Sequence, residues 1–147
     1  MAHTFTQIYI QAVFAVGMRQ SLIRPDFKEE LQKYITGIIR KKGQKLIQIN
    51  SMPDHTHILI GMKPSIALSD LIRDVKSDST EFINGKRWIK GRFNWQEGFG
   101  AFSYEHSPPD GGLILPSAES IYLSSRVLST GASSALSRCG VSATARY

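Results

Sequence analysis

The chain has 147 residues, 41% of them hydrophobic, with a formal net charge of +6 and a pI of about 9.6. That is enough for one packed domain. No stretch approaches the roughly 18 to 20 apolar residues of a membrane span, the opening MAHTFTQ has no basic start followed by an apolar run, and the single cysteine, Cys139, excludes an internal disulfide and fits a reducing, cytoplasmic setting.

Residues 4–16 alternate, placing Ile8, Ile10, Ala12, Phe14 and Val16 on one face of a strand. After the loop GMRQSLIRP, Pro25-Asp26 marks a helix start. Phe27, Leu31, Tyr34, Ile35, Ile38 and Ile39 then form an apolar stripe through about residue 42, and Gly43 is a natural stop. Residues 45–52 (KLIQINSM) and 55–62 (HTHILIGM) read as two strands joined into a hairpin through Pro53-Asp54. Lys63-Pro64-Ser65 ends it. A second helix is expected over about 66–83, burying Leu68, Leu71, Ile72, Val75 and Phe82. Trp88 to Trp95 is basic, aromatic and irregular, and residues 99–105 (FGAFSYE) read as a fourth strand. The order strand, helix, strand, strand, helix, strand is the split pattern of an α+β, ferredoxin-like fold, with helices on one face of an antiparallel sheet.

The composition breaks near residue 107. Fifteen of the eighteen Lys and Arg residues precede Ser107, no lysine follows Lys90 and no glutamine follows Gln96. The expected organisation is therefore one domain over 1–106 and a divergent tail over 107–147, frameshifted or poorly ordered. In that tail Pro108-Pro109-Asp110-Gly111-Gly112 is a strong breaker run, Ser117 to Leu128 reads as a short helix, and Ser129 to Ala135 reads as loop.

The sharpest chemical feature is His55-Thr56-His57. Residues two apart on a strand share a face, so both imidazoles would point the same way and chelate one divalent cation. Taken alone, the pattern fits two surface histidines equally well. The net charge is equally two-sided, fitting either a solvated basic surface or a nucleic-acid partner. Arg73, Lys76, Lys86, Arg87, Lys90 and Arg92 lie close in sequence to Trp88, Phe93 and Trp95. Cations there would offset phosphate charge and rings would stack on unpaired bases, or the rings are core and the charges a wet face. Lys86 and Arg87 are the preferred DNA contacts from this segment. Arg40-Lys41-Lys42 with Lys45 ends a helix, where cations complement the dipole.

Three stretches together carry a resemblance. Met52-Pro53-Asp54-His55-Thr56-His57-Ile58-Leu59-Ile60-Gly61, Leu71-Ile72-Arg73-Asp74-Val75-Lys76-Ser77 and Trp95-Gln96-Glu97-Gly98-Phe99-Gly100-Ala101-Phe102-Ser103-Tyr104 resemble, in order and spacing, segments of the single-tyrosine HUH transposases. These are of the insertion-sequence 200/605 type, with relatives that act on repetitive extragenic palindromes. The opening strand and Arg19-Gln20 fit as well, so the resemblance covers about residues 4–106. Thr56 is more polar than the family's usual middle residue.

The resemblance implies an enzyme that binds hairpin single-stranded DNA and cleaves and rejoins it through a covalent tyrosine-phosphodiester link. It implies a divalent metal, Mg2+ or Mn2+, on His55 and His57, DNA contacts from Arg19, Arg73 and Lys76, and a homodimer with no membrane role. The family's tyrosine is expected near Ile114 or Leu115, with a glutamine four residues on as third metal ligand. Here the nearest tyrosine is Tyr122, with Arg126 four residues beyond it. A one-base frameshift across Pro108–Leu115 would place a tyrosine where the family has one, an idea the gene's nucleotide sequence tests. Three readings stay open: a transposase with Tyr122 or no residue as nucleophile; a non-catalytic hairpin-DNA-binding or regulatory remnant; and a metal-binding ferredoxin-like regulator. A covalent protein–DNA adduct separates the first two, and salt-insensitive or absent DNA binding marks the third.

Overall fold

Four strands, β1 (Ile8–Ala15), β2 (Lys45–Met52), β3 (His55–Met62) and β4 (Gly100–Tyr104), form one antiparallel sheet in the order β2-β3-β1-β4. Two helices, α1 (Pro25–Lys41) and α2 (Leu68–Lys86), complete the expected α+β, ferredoxin-like order. The structure is a computed structural model that describes Thr6 and residues 8–104. The expectations for Tyr122, Cys139 and the 107–147 tail lie outside the described residues. The described residues all belong to one compact unit of the chain, Met1–Ile114.

The period of two gives the sheet its two faces. Ala12 and Phe14 of β1 and Ile58, Ile60 and Met62 of β3 join Phe27, Leu31, Ile35 and Ile39 of α1 and Leu71, Ile72, Val75 and Ile83 of α2 in one buried cluster. Burying each large aliphatic or aromatic side chain contributes about 1.5–3 kcal/mol, which fixes the helices to this face. Gln11, Val13 and Ala15 of β1 pair with Leu59, His57 and His55 of β3 on the opposite face.

The central hairpin forms as its sequence predicts, with Met52 paired to His55. Strand β2 carries one irregularity: Leu46 pairs with Ile60, but Gln48 pairs with Leu59. Ile47 is therefore an extra residue, a bulge. It lets Leu46 and Ile49, three apart, both pack against the core.

The helices run slightly differently from their periodicity. Helix α1 stops at Gly43, whose φ of 74° suits a residue without Cβ. Helix α2 continues to Lys86 and is closed by Arg87 in the left-handed region, φ 54°. Its buried side includes Ser79 and Ile83, while Phe82 is half-buried and stacks on Tyr34 at 3.9 Å.

The irregular segment after α2 is anchored by side chains. The Asn84 amide donates to the Phe93 carbonyl at 3.0 Å and accepts from the Phe93 N–H at 2.8 Å. Phe93 and Trp95 enter the core, where Trp95 meets Phe14 edge-on at 4.8 Å and donates Nε1–H to Ser79 Oγ at 2.8 Å. Among the described residues no helix is long and apolar enough to cross a membrane.

Candidate metal centre

His55 and His57 project from β3 on the side away from the helices, beside Ala15 and Val13. Their ring centroids lie 4.8 Å apart with planes at 76°. With metal–nitrogen bonds of about 2.1 Å, two imidazoles sharing one ion have centroids roughly 5 Å apart, so the pair fits a shared cation. Both rings are buried, His55 at 9% exposure and His57 at 4%, and the neighbouring Val13 and Leu59 are apolar and buried too. The site is thus drier than a pair of surface histidines would be.

Each ring is held through its Nδ1. His55 Nδ1 lies 2.6 Å from Asp54 Oδ1, and His57 Nδ1 lies 3.3 Å from Nε2 of the Gln11 side-chain amide. His57 Nε2 is buried and has no hydrogen-bond partner among the described residues. A buried orphan of this kind calls for a ligand; with the Gln11 amide turned so that its oxygen accepts from His57 Nδ1–H, the Nε2 lone pair is free for a divalent ion. Burial is the main reason His57 titrates near pH 4 instead of its ordinary 6.5; the adjacent His55 adds to the effect and Asp54 opposes it. The ring is therefore neutral at pH 7, as a metal ligand must be. Among the described residues no third His, Cys, Asp or Glu completes a larger ligand group.

The middle residue of the motif points the other way. Thr56 is fully buried on the helix side, and its hydroxyl donates to Ser51 Oγ at 3.0 Å across the hairpin. That bond satisfies the polar group that sets this motif apart from a hydrophobic one.

Of the predicted DNA contacts, Arg19 alone stands at the histidines. It ends a single 3-10 turn (Gly17–Arg19) and pairs with Asp54 at 3.0 Å, while its Nη1 is buried without a hydrogen-bond partner among the described residues. Arg73 is exposed on α2 and paired with Asp70 and Asp74. Lys76 is tied to the carbonyls of Gln96 (2.8 Å) and Gly98, bracing the approach to β4, and burial lowers its pKa. Lys86 pairs with Glu30 at 2.9 Å and lies over the Phe82 and Trp88 rings. Arg87 is exposed and, with Arg24, Trp88 and Lys90, lines a cleft of about 530 Å³.

Sequence reasoning missed Asp54 and Gln11. The signal for Asp54 was its place beside His55 at the hairpin turn; Gln11 pairs across strands and has no local signal.

The family model described as "Transposase IS200 like" matches residues 4–111, about three quarters of the chain. Tyr122 lies beyond that match. The chain is 25% identical over 73 residues to the ISDra2 transposase TnpA of Deinococcus radiodurans, a match spanning 50% of this chain and 52% of that relative. Among solved structures, it resembles a transposase crystal structure from Deinococcus radiodurans R1, with a TM-score of 0.63 and 17% identity over 69% of this chain and 82% of that one. It also resembles a REP-associated tyrosine transposase solved bound to a REP hairpin, with a TM-score of 0.51 and 16% identity over 73% of this chain and 64% of that one. These two likenesses concern the fold.

Proposed function

The chain belongs to the IS200-like transposase family, and on that premise we propose that it binds hairpin single-stranded DNA and cleaves and rejoins it through a metal-assisted tyrosine-phosphodiester link. One observation carries the reading: two imidazoles side by side on one sheet face, the Nε2 of one of them buried and unmatched among the described residues. His55 and His57 would hold Mg2+ or Mn2+, which supplies Lewis-acid polarisation of a phosphate oxygen. Val13 and Leu59 exclude water beside the rings, which strengthens electrostatic interactions there. Arg19, with one guanidinium nitrogen on Asp54 and another unmatched among the described residues, would donate to a phosphate oxygen.

Support for the DNA path comes from the segment after β1. Val16 N donates to the Asp54 carbonyl at 2.8 Å and Ile23 N to the Pro53 carbonyl at 2.9 Å. Ser21 and Leu22, between them, line the basic cleft of Arg24, Arg87 and Lys90. The cleft therefore adjoins the turn that carries Asp54 and His55. The hairpin-bound neighbour supports a hairpin as the substrate form. By likeness to the family the working unit would be a homodimer; Tyr122, the tyrosine nearest the family's position at Ile114 or Leu115, is the candidate nucleophile in place of the family's own.

The absence of any glutamine after Gln96, and of a tyrosine at Ile114 or Leu115, favours a second reading: a module that binds hairpin DNA without cutting it. Incubating the full chain with labelled hairpin single-stranded DNA and Mn2+ separates the two. The catalytic reading expects a nick with protein covalently attached, lost in Tyr122→Phe and in the double variant His55→Ala/His57→Ala, which still binds the hairpin. Retarded DNA without any adduct supports the binding module. A double variant that cuts normally would overturn the site assignment.

A further inference from the structure

We propose that Asp54 is a positioning residue for the metal centre: it fixes the tautomer and orientation of His55, and is itself held in place by Arg19. This rests on the metal reading of His55 and His57.

Asp54 Oδ1 lies 2.6 Å from His55 Nδ1. A carboxylate only accepts, so Nδ1 carries the ring proton. In the neutral ring the lone pair then lies on Nε2, the atom left to take a cation. Carboxylates placed behind a histidine in this way hold ligand rings in register in metal sites.

The second carboxylate oxygen is occupied as well. Asp54 Oδ2 pairs with Arg19 Nη2 at 3.0 Å, and the Asp54 carbonyl accepts from Val16 N at 2.8 Å. The carboxylate is thus gripped from both sides and cannot turn away from the ring without breaking an ion pair. Arg19 reaches it through an unusual backbone. Met18 and Arg19 both adopt the left-handed region, with φ of 55° and 56°, which is unfavourable for residues with a Cβ. Met18 itself is 88% exposed, so no packing of its side chain explains the turn. What the turn achieves is to bring the Arg19 guanidinium over Asp54. Strained conformations of this kind persist where the surroundings hold them, and they cluster at functional sites.

The test is calorimetric titration of the full chain with Mn2+, together with nitrogen-15 NMR of the histidine rings in the metal-free protein. Asp54→Ala should weaken Mn2+ binding by roughly 10- to 100-fold, with the far-ultraviolet circular dichroism unchanged. In the wild type, His55 should carry its proton on Nδ1; in Asp54→Ala the resonances should move toward the Nε2–H form. Asp54→Asn keeps the side chain's shape and an accepting oxygen, so it should retain the Nδ1–H form with a smaller loss of affinity. It decides the matter if the alanine variant does not fold. A merely structural aspartate would leave the tautomer unchanged. Wild-type binding with Asp54→Ala equally tight, or a wild-type His55 protonated on Nε2, overturns the positioning role alone. A wild-type chain that takes up no Mn2+ overturns both this role and the site on which it rests.

Discussion

At the scale of single residues, the site is a set of buried polar atoms that are almost, but not fully, satisfied. The motif His55-Thr56-His57 was legible because period two is a rigid rule of strands, and the rings do share a face. What period two cannot show is how dry that face is, since burial depends on neighbours brought together by pairing. Dryness has a measurable consequence at His57. The folded chain binds its proton near pH 4 and the unfolded chain near 6.5. Between those values the unfolded state holds more protons, so this contribution to stability is complete above about pH 6.5 and is lost as pH falls toward 4. The loss is of order 3 kcal/mol at most. Urea unfolding of the metal-free protein at pH 7.5 and pH 4.5 should show this decline, and His57→Gln should reduce it. An unchanged pH dependence in His57→Gln would mean that the ring is more solvated than its surroundings indicate.

At the scale of elements, both helices and all four strands were readable from periodicity, within a few residues. The exceptions have specific causes. The bulge at Ile47 adds one residue to β2, and nothing in KLIQINSM distinguishes an extra residue from a paired one. Helix α2 outran its predicted end because Arg87, not glycine, takes the left-handed cap. The Trp88–Trp95 segment read equally as core or as a stacking surface for bases. The structure places Phe93 and Trp95 in the core and stacks Trp88 on Phe27 at 4.7 Å. Ser79 explains how the indole is accommodated: its hydroxyl accepts from Trp95 Nε1 and donates to the Val75 carbonyl at 2.5 Å. Ser79→Ala would strand the indole N–H in the core. Chemical denaturation should show a loss of about 1–3 kcal/mol, and a variant as stable as the parent would mean that the indole finds another acceptor.

At the scale of the molecule, the fold separates packing from chemistry. The helices cover one face of the sheet, which leaves the other face to carry the histidines. The positive charge read from composition is spent in two ways: Lys76, Lys86 and Arg73 are engaged with carbonyls or carboxylates of the same chain, whereas Arg87 and Lys90 line an open cleft. Charge counts in the sequence could not make that division, because it depends on which acidic and carbonyl groups the fold brings near. The family match ends at residue 111, so it takes in His55 and His57 and leaves Tyr122 outside. The proposed role of this face rests on His55 and His57 sharing one divalent ion. Electron spin-echo envelope modulation of Mn2+ bound to the full chain reads this directly. Nitrogen-14 couplings from two imidazoles are expected, reduced in His57→Ala and absent in the double alanine variant. Bound Mn2+ coupled only to water protons, with no nitrogen in its shell, would contradict it.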